Sequence, residues 1–135
     1  MSIRLGCVLI LVGVLGGCSS GPVRDIGLDK LAPRKAEQEL SAGLKSYENG
    51  QYPQAMKHIQ TALSSDLTFK SDRITAYKHL AFIYCITDRK KQCHAMFKEA
   101  LEIDPEFDLS AAEAGHPLWG PVYREVQAEQ HQKKK

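Results

Sequence analysis

The sequence is poor in aromatic residues, in cysteine and in net charge, and each shortage argues against a class of protein. Phe, Trp and Tyr make up 7% of the 135 residues, a length that suits one domain, and so low a share does not favour a β-rich chain. Four scattered cysteines do not suit a disulfide-built miniprotein or a four-thiolate zinc module. A formal net charge of +2 gives no bulk attraction to nucleic acid. The sequence also lacks a phosphate loop, an HExxH pair and a serine elbow, so no common enzyme motif is present.

What is present begins with an export signal. Arg4 is followed by an apolar run over residues 5–15, which is shorter than the ~20 residues that a membrane-spanning helix needs. The sequence Leu15-Gly16-Gly17-Cys18 resembles the lipobox of bacterial lipoproteins. That resemblance implies a signal peptide over residues 1–17, cleavage before Cys18 and acylation of its thiol. An ordinary signal peptide with an incidental cysteine is the alternative.

The residue after the cysteine and the composition that follows extend this prediction. Ser19 stands where lipoproteins retained in the inner membrane generally carry Asp, so the resemblance implies a lipid-anchored protein of the outer membrane that faces the periplasm. Residues 18–34 are rich in Ser, Gly and Pro and show little apolar periodicity, which predicts a flexible tether between the lipid and a folded domain over residues 35–131.

The domain itself is predicted to be all-α. Apolar residues recur at intervals of three and four from Ala36 onward, and no alternating run is long enough for a strand. Asn49-Gly50 ends the first helix, Tyr52-Pro53 opens the second, and the third is expected to be capped by Ser71 or Asp72. A fourth helix ends before Asp104-Pro105.

The helices repeat. Ala55-x6-Ala62-Leu63 and Cys93-x6-Ala100-Leu101 lie about 38 residues apart, a period typical of helical solenoids. The second copy resembles the tetratricopeptide repeat at the positions Tyr77, Leu80, Ala81, Tyr84, Cys93, Phe97, Ala100 and Pro105, while the first copy departs from it at Glu39. Small residues at the helix contacts are expected to let paired helices approach closely, namely Gly43, Ala55, Ala81 and Cys93.

Two repeats bury little by themselves, and the residues after Pro105 are predicted to close their open end. Ser110-x-x-Glu113 has the pattern of a capping box, and Trp119-Gly120-Pro121 begins a last helix. Trp119 has two possible roles, a plug for the end of the second hairpin or an exposed anchor for a partner. Residues 127–135 are polar and are expected to form a solvated tail, basic over residues 132–135.

The stretch from Phe107 to Pro121, together with the lipobox, the repeats and the Cys85/Cys93 pair, resembles the TssQ-type lipoproteins associated with type VI secretion. The most specific part of the likeness is the sequence that ends in Trp119-Gly120-Pro121. Membership implies an accessory role in the cell envelope, without an assigned catalytic activity.

Cys85 and Cys93 flank the turn between the third and fourth helices. A helical hairpin can bring such residues within disulfide distance, and an exported domain lies in an oxidising compartment, so a bridge is the favoured prediction. A buried free thiol at Cys93 is the alternative. A metal site made of these two thiols and His94 is disfavoured by the spacing, and no metal or cofactor is expected.

The sequence therefore predicts a non-catalytic scaffold that contacts a protein partner in the envelope, reaches the membrane through its lipid, and binds neither nucleic acid nor a small substrate. The resemblance to tetratricopeptide repeats implies that the first helix of each hairpin lines a concave surface. Its partner-binding residues are predicted to be Leu44, Tyr47, Lys78, Phe82, Ile86 and Trp119. The rival functions are a pilotin-like chaperone that escorts a secretin to the outer membrane, and an enzyme of the cell wall.

Overall fold

The computed structural model describes residues 34–133, and they fold into six helices with no strand among them. The predicted all-α class is therefore confirmed for this part of the chain. None of these helices combines the length and the apolarity that crossing a membrane requires. The helices are α1 (Lys35–Glu48), α2 (Tyr52–Ser64), α3 (Lys70–Ile86), α4 (Lys90–Ile103), α5 (Ala111–Ala114) and α6 (Gly120–Lys133).

Three of the helices end at a residue with left-handed backbone conformation just after the C-cap. Gly50 follows α1 with φ of 71°, as the Asn49-Gly50 pair predicted. Asp66 and Asp88 take the same role after α2 and α3, with φ of 64° and 58°. A short polar side chain tolerates this conformation better than a branched one, although it still costs about 1 kcal/mol relative to glycine.

The start of α3 differs from the prediction. The helix begins at Lys70 with Phe69 as its N-cap, and no side chain caps it. The backbone N–H groups of Asp72 and Arg73 donate instead to the carbonyl oxygen of Phe69, so Ser71 and Asp72 lie inside the first turn. Leu67, which is buried just before this turn, fixes the path of the chain into the helix.

Consecutive helices pack as pairs, α1 against α2 and α3 against α4. Gly43 shows how close the first pair is, because a Cβ atom built on it would lie 2.6 Å from Cγ1 of Ile59 and 3.1 Å from its backbone nitrogen. Ala55, Ala81 and Cys93 are completely buried as well. The small residues therefore lie at the helix contacts, as the sequence predicted.

The buried side chains form two hydrophobic cores. The first core joins α1, α2 and one face of α3. It contains Ala36, Leu40, Ala55, Ile59, Ala62, Leu67, Ala76, Leu80 and Ile83. The second joins α3, α4 and the C-terminal elements and contains Ala81, Phe82, Cys85, Cys93, Phe97, Leu101, Leu109, Trp119, Tyr123 and Val126. Of these two sets of buried residues, only the second contains aromatic side chains.

The segment predicted as a solvated tail, residues 127–135, begins as a continuation of the last helix, because α6 reaches Lys133. Val126 is fully buried, and on the next turn Glu129 reaches His94 of α4, with 3.1 Å between Oε1 and Nε2. Residues 127–133 are otherwise mostly exposed, and residues 134–135 of the predicted basic tail lie outside the described range.

Candidate functional site

An open cleft of about 510 Å³ lies along α1 beside the first turn of α3. Its floor is apolar, with Leu40 buried and Leu44 half-buried, and its walls are polar. We call this feature the open cleft; its lining residues are Glu37, Leu40, Ser41, Leu44, Lys45, Glu48 and Asp72. It occupies the part of the predicted concave surface that belongs to the first helix of the first hairpin.

Tyr47 is half-buried beside this cleft and belongs to a chain of aromatic contacts. Its ring centre lies 5.9 Å from that of Tyr52 and 5.0 Å from the imidazole of His79, which meets it edge-on. Burial raises the pKa of the Tyr47 hydroxyl, and the charges on Tyr52 and Glu113 act in the same direction. Tyr47 therefore joins the two hairpins and exposes only part of its ring.

His79 connects this chain to the second core. The ring centre of His79 lies 5.8 Å from that of Phe82. Its Nδ1 is 2.8 Å from the carbonyl oxygen of Thr75 and donates to it in the neutral tautomer that carries the hydrogen on Nδ1. Burial lowers the pKa of His79, against opposing contributions from the Thr75 carbonyl and from two carboxylates. The neutral form thus suits this position.

Phe82 and Trp119 differ from the prediction of exposed anchors. Phe82 is only 2% exposed and Trp119 8%, and their rings stack with centres 4.2 Å apart. His116 stacks on the other face of the indole. Phe82 is therefore a core residue, and Trp119 takes the first of its two predicted roles, the plug that closes the second hairpin.

Residues 109–119, which we call the capping segment, cover the second half of the predicted surface. Lys78 donates to Oε1 of Glu113 at 2.6 Å, and the indole Nε1 of Trp119 donates to the Glu113 carbonyl oxygen at 2.8 Å. The predicted capping box is present, with Ser110 and Glu113 bonded in both directions. Burial tends to raise the pKa of Glu113, but the bonds from Lys78 and Ser110 outweigh it and lower that pKa.

Of the six predicted partner-binding residues, the structure leaves Leu44 and Tyr47 beside the open cleft and places the other four elsewhere. Lys78 and Phe82 contact the capping segment, to which Trp119 belongs, and half-buried Ile86 packs against the second core. Asp72 is the opposite case, because the sequence presented it as a helix cap and the structure places it in the cleft wall. Asp72 lies 32 residues after Leu40 in the chain, so no local sequence pattern could show that the two residues line the same cleft.

Cys85 and Cys93 form the predicted disulfide, with the sulfur atoms 2.07 Å and the Cα atoms 5.3 Å apart. The bridge spans the turn between α3 and α4 and is buried in the second core. Because both thiols are consumed, they cannot ligate a metal together with His94.

A second, smaller cleft of about 400 Å³ lies between α4 and α6. His94, Glu125 and Glu129 place one ligand atom each within 4.8 Å of one another there, a set that could hold a divalent cation. Lys90 and Lys91 line the same cleft and oppose a cation. The contact between His94 and Glu129 already links the two helices, so we assign these groups to holding α6 in place.

Two carboxylates near the end of α4 serve the local structure. Asp104 pairs with Lys70 at 3.2 Å, and Asp108 accepts from the Tyr123 hydroxyl at 3.0 Å. Burial and the Asp108 carboxylate together raise the pKa of Tyr123. These groups hold the chain between α4 and α5 and do not face one another across a cleft.

Comparison of the chain with protein-family models, with curated proteins and with solved structures gave no match. The predicted signal peptide of residues 1–17, the lipidation site Cys18 and nearly all of the predicted tether of residues 18–34 lie outside the described residues.

Proposed function

We propose that the chain is a non-catalytic protein-interaction module of the bacterial envelope, held at the periplasmic side of the outer membrane by a lipid on Cys18, and accessory to type VI secretion. Within this proposal the pairs α1/α2 and α3/α4 are two tetratricopeptide-like repeats, with α6 as the terminal cap. The open cleft is the surface on which a partner polypeptide docks.

The open cleft is the single observation that carries the proposal. It combines an apolar floor, Leu40 and Leu44, with charged walls, which is the composition of a surface that recognises a polypeptide. The polar groups of its lining are three carboxylates, one lysine and one serine, which can form ion pairs and hydrogen bonds with a polypeptide. Recognition is therefore the function that its chemistry supports best.

The pairing of the helices supports the repeat interpretation. Gly43 and Ala55 bring α1 against α2, and Ala81 and Cys93 occupy the matching contact between α3 and α4. The same residue classes thus recur at equivalent contacts about one 38-residue period apart. The capping segment and α6 together supply the terminal closure that a short repeat array requires, since both contribute side chains to the second core.

The link to type VI secretion rests on the sequence resemblance alone, chiefly on the stretch that ends in Trp119-Gly120-Pro121. In the structure this stretch closes the second core, so the residues that carry the likeness have a structural role. The lipid anchor rests in the same way on the resemblance of Leu15-Gly16-Gly17-Cys18 to a lipobox.

Photo-crosslinking in living cells tests the docking surface. A photoreactive residue at Ser41, in the open cleft, is expected to give a discrete crosslink to an envelope component of the secretion apparatus. The same residue at exposed Gln54 on α2 is the matched control and is expected to give none. Equal products at both positions, or none at Ser41, would contradict the proposed surface.

The anchor is tested separately with labelled palmitate. Incorporation is expected in the wild-type chain and is expected to disappear in Cys18→Ser, with the protein then released into the soluble periplasmic fraction. Fractionation on a density gradient shows whether the wild-type chain is in the outer membrane. Unlabelled wild-type protein would reject the anchor without affecting the docking surface.

A further inference from the structure

We propose that the open cleft receives a segment of a partner protein that carries a lysine or arginine side chain between apolar residues, and that Glu37 is the carboxylate that receives this cation. The inference rests on the proposed docking function and adds the chemistry of the partner. Glu37, at the end of the cleft near the start of α1, is its central observation.

Glu37 carries a buried carboxylate without a hydrogen-bond donor. Both of its oxygens are shielded from solvent, and no residue of the described range donates a hydrogen bond to either of them. The Nε of Arg34 lies 3.8 Å from Oε1, which is beyond hydrogen-bond distance, and the Arg34 side chain is 63% exposed. Leaving an anionic group in this state is unfavourable. The shielded oxygens cannot be reached where they lie, so a partner's cation bonds to this carboxylate only after the Glu37 side chain turns toward the cleft that it lines.

The remaining charges of the cleft favour the same kind of partner. Glu48 and Asp72 line its walls together with Glu37, and Lys45 is the single cation among the lining residues. This excess of negative charge attracts a cationic segment and repels an acidic one. A charge-assisted bond from an ammonium or guanidinium group to Glu37 would be among the stronger contacts available to a partner.

The apolar floor distinguishes a polypeptide from a free cation. Leu40 and Leu44 lie one helical turn apart on α1, so an apolar side chain next to the basic one can lie against them. A bare metal ion would use only the carboxylates. We therefore assign the cleft to a basic and apolar segment of a protein, and not to a metal ion or a lipid amine.

Selection from a random dodecapeptide display library tests the assignment, with the full chain in detergent as the target. Parallel selections use Glu37→Gln, which keeps the shape and removes the charge, and Glu99→Gln, at an exposed glutamate of α4, as the matched control. Peptides enriched on the wild type are expected to carry Lys or Arg beside apolar residues. A synthetic arginine peptide from this set is expected to bind Glu37→Gln at least about tenfold more weakly and Glu99→Gln unchanged.

A second measurement needs no protein variant, so it is independent of any effect on folding. The same peptide with citrulline in place of arginine is expected to lose a similar factor on the wild type. Enriched peptides without a basic residue, equal binding to Glu37→Gln, or full displacement by phosphatidylethanolamine vesicles would overturn the inference while leaving the docking surface in place.

The failure of the proposed function gives a different result. Leu44→Asp places a charge on the apolar floor and is expected to abolish binding of every selected peptide. Peptides that bind Leu44→Asp as well as the wild type, or a library that yields no enriched peptide, would reject the cleft as a docking surface and the inference with it.

Discussion

The two hairpins are built from the same kind of helix pair but close their cores in different ways. The core around α1 and α2 is filled by alanine and aliphatic side chains, and its helices approach closely at Gly43. The core around α3 and α4 is filled by stacked aromatic rings, is bridged by a disulfide, and is covered by the capping segment. The first hairpin consequently keeps an open cleft, whereas the second has used the equivalent surface for its own closure.

The comparison also shows where the stabilising features lie. The disulfide joins the helices of the second hairpin, and the single tryptophan and the capping box belong to the capping segment that packs on it. The orphan carboxylate of Glu37 belongs to the first. Within residues 34–133 the open cleft lies on α1 of the first hairpin, whereas the capping segment packs on the second core.

The largest effect is expected from removing the aromatic plug of the second hairpin. Trp119→Ala deletes a ring that stacks on Phe82 and leaves a cavity, so the free energy of unfolding is expected to fall by about 3–5 kcal/mol in urea titrations. Leu118→Ala changes the neighbouring side chain, which is 48% exposed, and is expected to stay within about 0.5 kcal/mol of the wild type. Equal losses in the two variants would contradict the role of the plug.

The disulfide is the next contribution to the difference between the hairpins. Replacing Cys85 and Cys93 together by Ala is expected to cost about 2–3 kcal/mol, because the bridge restricts the unfolded chain. Thermal unfolding of the wild type in reductant should show a similar loss, and reductant should leave the double variant unchanged. A melting temperature of the wild type that does not respond to reductant would reject this contribution.

The close approach in the first hairpin is tested by adding one methyl group. Gly43→Ala forces a Cβ atom against Ile59, and we expect a loss of about 1–3 kcal/mol in the free energy of unfolding. Gly115→Ala is the control, because its added Cβ would lie 3.5 Å from the carbonyl oxygen of Ala111, an ordinary contact. Gly43→Ala is expected to lower the free energy of unfolding clearly more than Gly115→Ala does. Equal losses in the two variants would contradict the tight packing of α1 against α2.

The smallest effect concerns the histidine that lies between the hairpins. Burial holds the pKa of His79 below its ordinary value, so on acidification the unfolded state takes up the proton first. Stability should therefore be complete above pH 6.5 and decrease as the pH falls below it, by on the order of 1 kcal/mol or less. The groups that face the ring and modify this response are Lys78, Glu48 and Glu113.

The difference between denaturation curves at pH 7.5 and pH 5.5 measures this contribution. It should be smaller in His79→Gln than in the wild type, while His131→Gln, at an exposed position of α6, should behave as the wild type. An identical pH response in His79→Gln would show that the buried ring does not couple protonation to folding.

Much of the fold followed from local patterns, and the misplacements have a common cause. The period of the apolar residues, the Asn49-Gly50 and Asp104-Pro105 helix ends and the Ser110/Glu113 box depend on neighbours in sequence, and the structure has all of them. The start of α3 was misplaced because the helix begins at Lys70 without a side-chain cap, so the polar residues Ser71 and Asp72 do not mark its first residue. The helical continuation into residues 127–133 was not recognised because Glu129 meets His94 on α4, 35 residues away.

The candidate site was predicted only in part for the same reason. Leu44 and Tyr47 were placed beside a groove because they lie on one face of the first helix, which a helical repeat alone determines. Phe82 was misjudged because the capping segment that covers it comes from a distant part of the chain. No sequence pattern showed that Asp72 joins the cleft or that the Glu37 oxygens are shielded.

The sequence by itself determined the helical class, the paired helices with small residues at their contacts, and the disulfide partners, because these depend on spacing along the chain and on side-chain size. Only the tertiary structure decided which part of the helical surface formed by residues 34–133 stays open. That outcome depends on where the residues after Pro105 fold back, and their position follows from the packing of Trp119 on Phe82 and the bond from Lys78 to Glu113. Contacts between residues so far apart in the chain produce no periodic pattern in the amino-acid sequence.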